Sequence, residues 1–211
     1  MPDDLRAVVL AGHTGDAAAA AAALAHRQPE VRAAALGALA RCGGLTTGQL
    51  VDALADGDAG VRRRAAEEAG RLGDPAVGRT LVERLTDPDD GVVEAAAHAL
   101  GELADPEPSW VAALTALVTG HPEVVVRETA VAALGSAGLD EGRAAVLAAT
   151  TDVATVRRRA VLALAAFDGP DIEAALVRLS EDRDRQVRQA AEDLLHGWGS
   201  PSGDEEQLDV P

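Results

Sequence analysis

The chain has 211 residues, which suits one domain or one continuous array of repeats. Hydrophobic residues make up 47% of it but aromatic residues only 1%, so it lacks the bulky side chains that fill a deep globular core. The formal net charge of −16 makes it a poor general binder of nucleic acid or anionic membranes, because its field repels phosphates.

The compartment is indicated by what the sequence lacks. A single cysteine, Cys42, permits no intrachain disulfide, which fits a reducing environment. The first residues carry neither the basic segment nor the apolar run of a signal peptide. No apolar stretch reaches the length of a membrane span without charges or glycines. We therefore expect a cytoplasmic protein that does not enter a membrane.

One motif recurs along the chain: a valine, usually followed by arginine, opens an alanine-rich segment. Its copies begin at Val31, Val61, Val92, Val126, Val156 and Val187. The spacings between them are 30, 31, 34, 30 and 31 residues. With this valine as position 0, mostly apolar residues recur at +4, +5 and +8, which form one stripe of an α-helix. Each copy therefore predicts an amphipathic helix, here called helix B.

The chain opens with a helix that has no partner before it. Residues 3–12 are predicted to be a half repeat, in which Leu5-Arg6, Val9 and Leu10 copy the helix B positions. Every later helix B is preceded by a second amphipathic helix, helix A, and the joints carry the helix-breaking residues Gly, Pro and Asp.

The predicted repeats follow at residues 14–42, 45–73, 74–104, 107–138, 140–168 and 169–198. Residues 199–211, rich in Gly, Ser, Pro and acidic residues, are expected to be a disordered acidic tail. The sequence thus predicts an all-α protein whose residues 1–198 form a single right-handed α-solenoid of about six helix pairs with an N-terminal half repeat.

The best copies of the repeat resemble a known family. One contains Asp58, Val61-Arg62, an alanine-rich helix and Leu72-Gly73, and a second runs from Pro88 to Pro106. This pattern resembles the HEAT repeats of the type named after phycobilisome lyases, over about residues 3–198. The resemblance implies a solenoid whose helices B line the concave face. It implies no single function, because the same repeat serves scaffolds, lyase subunits, hydroxylases and DNA-repair enzymes.

The arginine after each valine is expected to be structural. In such repeats this side chain packs between layers and pairs with an acid near the A–B turn, so that a stacked ladder ties the repeats together. The candidate partners are Glu30 for Arg32, Asp58 for Arg62, Glu123 for Arg127, Asp152 for Arg157 and Asp184 for Arg188.

Other arginines lie off the buried stripe of helix B, at positions +2, +3 and +10 in two repeats. On the concave face they would form two basic islands about 30 Å apart, since helix layers stack roughly 10 Å apart. These islands are either part of a binding surface or an ordinary solvated face in which Glu67 and Glu68 pair with the arginines. The residues predicted to bind a partner are Arg63, Arg64, Glu67, Arg71, Glu94, His98, Glu102, Glu128, Arg158, Arg159, Gln189 and Asp193.

No catalytic centre is recognisable in the sequence. None of the five histidines forms a His-x-x-x-His pair or is followed by Glu, the pair that HEAT-type hydroxylases repeat, and one cysteine provides no zinc set. The glycines form no phosphate-binding fingerprint and are expected to be C-caps at helix ends. We therefore expect no catalytic residue, no metal and no cofactor.

The function is predicted from what repeats and what varies. Core positions repeat while concave positions do not, which is typical of a binding surface. We expect a non-enzymatic protein–protein interaction scaffold or adaptor that binds another protein on its concave face. The alternative is a tetrapyrrole (bilin) lyase-like or chaperone-like accessory subunit, which the scarcity of aromatic residues disfavours. Nucleic-acid binding is less favoured by the charge, and self-association through exposed end layers stays open.

Overall fold

A computed structural model describes residues 2–199, with side chains up to residue 197. The described part is all-α, as predicted, and contains no β-strand. The expected disorder of the acidic tail falls on residues beyond the described part, apart from Gly199, which ends the last helix. The helices are α1 (Asp3–Thr14), α2 (Ala17–Ala22), α3 (Pro29–Arg41), α4 (Thr47–Leu54), α5 (Ala59–Leu72), α6 (Gly78–Arg84), α7 (Asp90–Glu102), α8 (Pro108–Gly120), α9 (Val124–Ala137), α10 (Asp140–Ala149), α11 (Ala154–Leu164), α12 (Pro170–Leu179) and α13 (Arg185–Gly199).

The helices are arranged as a half repeat and six pairs. Helix α1 is the half repeat, and the even-numbered helices from α2 to α12 are the helices A. The odd-numbered helices from α3 to α13 are the helices B, and each is longer than its helix A. Each helix B contacts its own helix A and the helices B before and after it. This is the predicted α-solenoid. None of the described helices combines the length and the apolar character that crossing a membrane requires.

The core is one continuous cluster that runs through all the layers. The valine at position 0 and the alanine at +4 are buried in every repeat because both face the partner helix A. At +8 the leucines Leu39, Leu100, Leu134 and Leu164 are 0–2% exposed, whereas Leu195 in the last layer is only half-buried. At +5 the last layer carries Glu192 in place of an apolar residue, which suits the end of a stack.

Consecutive helices B touch backbone to backbone through glycines at position +9. A Cβ on Gly70 would lie 3.1 Å from the Cα of Ala99, one on Gly101 2.9 Å from that of Ala133, and one on Gly135 2.8 Å from that of Ala163. These three glycines therefore lie inside their helices and are not the C-caps that the sequence suggested. Most helices A contact one another less than the helices B do. The layers are thus closest on the helix B side, as on the concave side of a curved stack.

C-cap glycines are present at other positions. Gly15, Gly73 and Gly138 follow α1, α5 and α9 with φ of 77°, 69° and 61°, in the left-handed region that glycine adopts without steric cost. All three occupy position +12 once α1 is aligned by its packing on α3. In that alignment Asp3, and not Leu5, stands at position 0. The predicted register of the half repeat is therefore wrong by two residues: Val8 is buried, while Leu10 is 58% exposed.

The arginine after the valine does form a ladder, but its partner lies one repeat further along the chain. The Nε and Nη2 of Arg62 donate to the two carboxylate oxygens of Asp87 at 2.8 and 2.7 Å. Its Nη1 donates to the carbonyl oxygen of Asp56, in its own A–B turn, at 2.9 Å. Bidentate pairs of the same kind join Arg32 to Asp56, Arg127 to Asp152 and Arg157 to Asp182.

The partners predicted within the same repeat are therefore wrong. Each arginine side chain extends along the stack to the next turn, where a carboxylate can accept both of its N–H groups. Asp58 and Asp184 instead cap their own helices by accepting backbone N–H groups. Asp152 belongs to the ladder, but its carboxylate accepts from Arg127. From Arg157 it accepts a hydrogen bond only through its backbone carbonyl oxygen.

The ladder sets the ionisation of its aspartates. Hydrogen bonds from Arg32, Arg127 and Arg157 hold the pKa of their aspartate partners below the usual range. At Asp87 burial acts in the opposite direction, but the hydrogen bonds from Arg62 and from a backbone N–H outweigh it, so its pKa is also lowered. The side chain of Asp87 is only 2% exposed, so this rung is the most protected from water.

Two turns carry histidine at the position of the ladder aspartate. His26 and His121 each accept a backbone N–H through Nδ1 at 3.2 Å, as the aspartates do through a carboxylate oxygen. Their Nε2 atoms lie 3.4 Å from a carboxylate oxygen of Asp4 and 3.6 Å from one of Asp90. Before His121 the ladder arginine is missing, because Val93 occupies its position. The replacement of arginine and of aspartate thus occurs together at this rung.

Candidate functional site

The helices B line a groove that continues from α3 to α13. It consists of five adjoining cavities between successive helices, and neighbouring cavities share lining residues. Arg71 lines the first and second, His98 the second and third, Arg159 the third and fourth, and Leu162 the fourth and fifth. The largest three have volumes of about 420, 460 and 510 Å³.

All twelve residues predicted for the concave face line this groove. They lie there because positions +2, +3, +6 and +10 of a helix share a face, opposite the stripe that packs on helix A. Along the groove they are Arg63, Arg64, Glu67 and Arg71 on α5, Glu94, His98 and Glu102 on α7, Glu128 on α9, Arg158 and Arg159 on α11, and Gln189 and Asp193 on α13. Their role in binding stays a prediction.

The basic island on α5 is partly neutralised within its own helix. Arg64 donates to Glu67 at 3.2 Å and lies 2.9 Å from a carboxylate oxygen of Glu68, which Arg71 approaches to 3.2 Å. The Nε of Arg63 is 3.8 Å from Glu67. These ion pairs are the ones expected if the island were an ordinary solvated face. Glu68, however, is only 3% exposed, so it does not belong to such a face.

The basic island on α11 is less neutralised. Arg159 reaches across to α9 and donates to Glu128 at 3.3 Å. Arg158 is exposed and has no carboxylate partner in the described chain. Beside it, Leu162 is 51% exposed and forms an apolar floor with Ala165 and Leu194.

The middle of the groove is acidic. Glu94, His98 and Glu102 lie four residues apart on one face of α7, and within residues 2–197 neither glutamate makes an ion pair. The groove therefore alternates from basic at α5 to acidic at α7 and to basic at α11. A ligand with complementary charges along its length would find a defined register there.

The residues predicted for the groove did not include Arg41, Glu68 and Leu162, which also line it; Glu68 was considered only as an ion-pair partner of the arginines. A comparison of equivalent repeat positions could have found them. Arg41 stands at +10 like Arg71, and Leu162 at +6 like His98. Glu68 stands at +7, where four of the other five helices B have alanine.

Other chemistry is not supported by the described side chains. Trp110 and Phe167 are 3% and 5% exposed and belong to the core, so neither ring faces the groove. Within residues 2–197 no three His, Cys, Asp or Glu side chains are grouped as a metal would require. The thiol of Cys42 is half-buried near the carbonyl oxygen of Ala11, at 3.8 Å.

The sequence and the fold both match known proteins. The family described as HEAT repeats matches residues 16–101. The complex of CpcE and CpcF of phycocyanin lyase from Nostoc sp. PCC7120 is 26% identical with a TM-score of 0.63, over 85% of this chain and 75% of that chain. A designed armadillo repeat protein in complex with the peptide (KR)4 is 18% identical with a TM-score of 0.61, over 85% of this chain and 97% of that chain.

An engineered protein from a structural genomics consortium shares the fold over a greater length. It is 22% identical with a TM-score of 0.63, over 95% of this chain and 100% of that chain. A search of curated protein sequences gave no match. Residues 16–101 thus match the HEAT-repeat family, and the same helix-pair unit continues through the described chain to α13, so that the described chain is an α-solenoid of HEAT-like helix pairs.

Proposed function

We propose that this protein is a non-enzymatic scaffold or adaptor of the cytoplasm that binds a segment of another protein in the groove. The observation that carries the proposal is the contrast between core and groove positions. Position +4 is alanine in all six helices B. Position +6, on the groove, is Gly37, Glu67, His98, Ala132, Leu162 and Asp193. A solenoid tolerates such variation only where the side chains do not pack between layers, and there it can serve recognition.

The structural neighbours support a protein ligand. The designed armadillo repeat protein holds a peptide, and CpcE and CpcF form a complex of two chains. The alternating charge along the groove can select among extended segments of a partner. The ladder of Arg–Asp pairs joins successive layers and so holds them at a fixed spacing. Neither feature needs a catalytic group, which is why we propose a binding role.

The test is an affinity capture from host lysate, read by mass spectrometry, with two matched variants. The groove variant carries Arg63→Glu and Arg158→Glu, both at exposed side chains, so the fold should be retained. The control variant carries Arg79→Glu and Arg183→Glu, which make the same charge change outside the groove. We expect a protein that the wild type and the control capture and that the groove variant captures about tenfold less. Equal capture by both variants would refute the groove as the binding site.

A second candidate is an accessory subunit for tetrapyrrole attachment, since the CpcE and CpcF complex is among the structural neighbours. The described groove offers a bilin only His98 and no aromatic ring. Titration with biliverdin, followed by its absorbance, tests this role. A red-shifted spectrum that saturates at one equivalent would favour it over the scaffold.

A further inference from the structure

Helix α5 departs from the other helices B at adjoining positions. At +7 it carries Glu68, where α3, α7, α9 and α11 carry alanine. At +8 it carries Ala69, where all the others carry leucine. The neighbouring helix α3 carries Gly37 at +6, a position that varies among the helices B. Glu68 and Gly37 line one cavity, the first of the groove, with a volume of about 420 Å³. We call it the N-terminal pocket.

Glu68 is the unusual member of this pocket, because a carboxylate that is 3% exposed is costly unless it is paired. Its oxygen Oε1 lies 2.9 Å from Arg64 and 3.2 Å from Arg71. Arg64 also lies flat against α3, where a side chain on Gly37 would collide with its guanidinium group. The buried glutamate thus pairs with two guanidinium groups at the pocket wall, and the glycine leaves room for that of Arg64.

A third guanidinium group comes from the preceding layer. Arg41, at the end of α3, lines the same pocket, lies with its Nη2 against Gly12 of α1, and has no carboxylate partner in the described chain. The three arginines therefore outnumber the two carboxylates that pair with them, Glu67 and Glu68, in a chain whose net charge is −16. Leu45 and Leu72 complete the lining, and Leu72 is 44% exposed. The pocket thus combines an excess of positive charge with an exposed aliphatic surface.

We propose that the N-terminal pocket binds an acidic side chain of the partner protein, next to an aliphatic side chain that covers Leu72. This inference rests on the proposed function and names the chemistry of the ligand. Arginine forks suit a carboxylate because two N–H groups can be donated in parallel. A run of phosphates fits less well, because the next layer presents Glu94 and Glu102.

The acidic middle of the groove extends this specificity. Layers stack roughly 10 Å apart, which an extended chain spans in about three residues. A ligand whose acidic residue occupies the N-terminal pocket would therefore bring a residue three or four positions away to Glu94 and Glu102. The groove should select lysine or arginine there. The partner segment thus has an acidic residue, an aliphatic neighbour and a basic residue in a defined spacing.

A phage-displayed library of random dodecapeptides, selected on the intact chain, tests the proposal. We expect the enriched peptides to carry Asp or Glu beside Leu, Ile or Val, with Lys or Arg three or four residues away. Binding of a synthetic copy should fall about tenfold or more with Arg41→Glu and stay unchanged with Arg79→Glu on α6. Circular dichroism of both variants should match the wild type, since both side chains are exposed.

The other outcomes separate the pocket from the groove. Enriched peptides that bind Arg41→Glu normally but lose binding with Arg158→Glu would overturn the pocket and leave groove binding intact. A library that yields no enriched peptide would overturn both. Binding of a fluorescent single-stranded oligonucleotide that depends on Arg41 would show that the pocket takes phosphate and would overturn an acidic protein ligand.

Discussion

At the scale of single residues, the ladder shows how a two-residue motif specifies contacts between repeats. Arg62 makes two kinds of contact: one nitrogen donates to a carbonyl oxygen of its own A–B turn, and the other two donate to the carboxylate of Asp87 in the next A–B turn. The recurrence of Val-Arg predicted that the arginine is structural. It did not predict the partner, because a sequence pattern shows the spacing of arginines and not the direction in which the side chain extends along the stack.

Removal of one buried rung should be costly. Arg62→Met keeps most of the side-chain volume but leaves the carboxylate of Asp87, 2% exposed, without its main partner. We expect the free energy of unfolding to fall by about 3 kcal/mol, as for other broken buried pairs. Urea unfolding followed by circular dichroism measures it. The exposed control Arg79→Met should change stability by less than about 0.5 kcal/mol, and a similar loss in both variants would argue against the ladder.

The same variant has a predicted pH dependence. The folded-state pKa of Asp87 is lowered, so the rung contributes stability above the unfolded pKa of about 3.9 and loses it as the pH falls through the folded pKa. The difference in stability between wild type and Arg62→Met should therefore be full at neutral pH and shrink below about pH 4. A difference that stayed constant down to acid pH would mean that the substitution acts through packing alone.

At the scale of helices, the close approach of successive helices B depends on Gly70, Gly101 and Gly135. Their role was misread from the sequence, because a glycine near a helix end also suits a C-cap, and only the neighbouring layer decides between the two. Likewise α1 lacks a Val-Arg pair, so its register could be determined only from its packing on α3. The long, strongly periodic helices B were predictable because the same four offsets are buried in every layer except the last.

Substitution of one of these glycines should destabilise the stack even though alanine favours helix. The Cβ of Gly135→Ala would lie 2.8 Å from the Cα of Ala163, so the two helices must separate. We expect a loss of about 1–3 kcal/mol. The control is Gly48→Ala on α4, where a Cβ meets nothing within 4 Å. That change should stabilise the protein by up to about 1 kcal/mol. Thermal melts compare the two, and an unchanged or raised Tm for Gly135→Ala would contradict the packing role.

The interrupted rung between α7 and the turn before α9 offers a complementary test. Val93→Arg alone buries an arginine without its acceptor, and His121→Asp alone places a carboxylate near Asp90. Each single variant should therefore be less stable than the wild type. Together they restore the Arg–Asp pair of the other repeats, so we expect a favourable coupling of about 1–3 kcal/mol in a double-mutant cycle. Strict additivity would show that the rungs do not act as pairs.

At the scale of the whole molecule, the helix offsets that define the core also define the groove. This is why all twelve predicted residues line it. Arg41 and Glu68 were missed because each helix was interpreted by itself, whereas the N-terminal pocket is built from two successive layers. The identity of the partner could not be predicted, since the groove lining varies from repeat to repeat without any constraint from packing.

The central claim, that the groove binds a protein segment, is tested most directly by site-specific photo-crosslinking to the captured partner. A benzophenone amino acid would replace His98, exposed in the centre of the groove, or Arg79, exposed on α6 of the same repeat. The account predicts a covalent adduct with the partner from position 98 and none from position 79. An adduct from position 79 alone would place the partner on the opposite face and contradict the account.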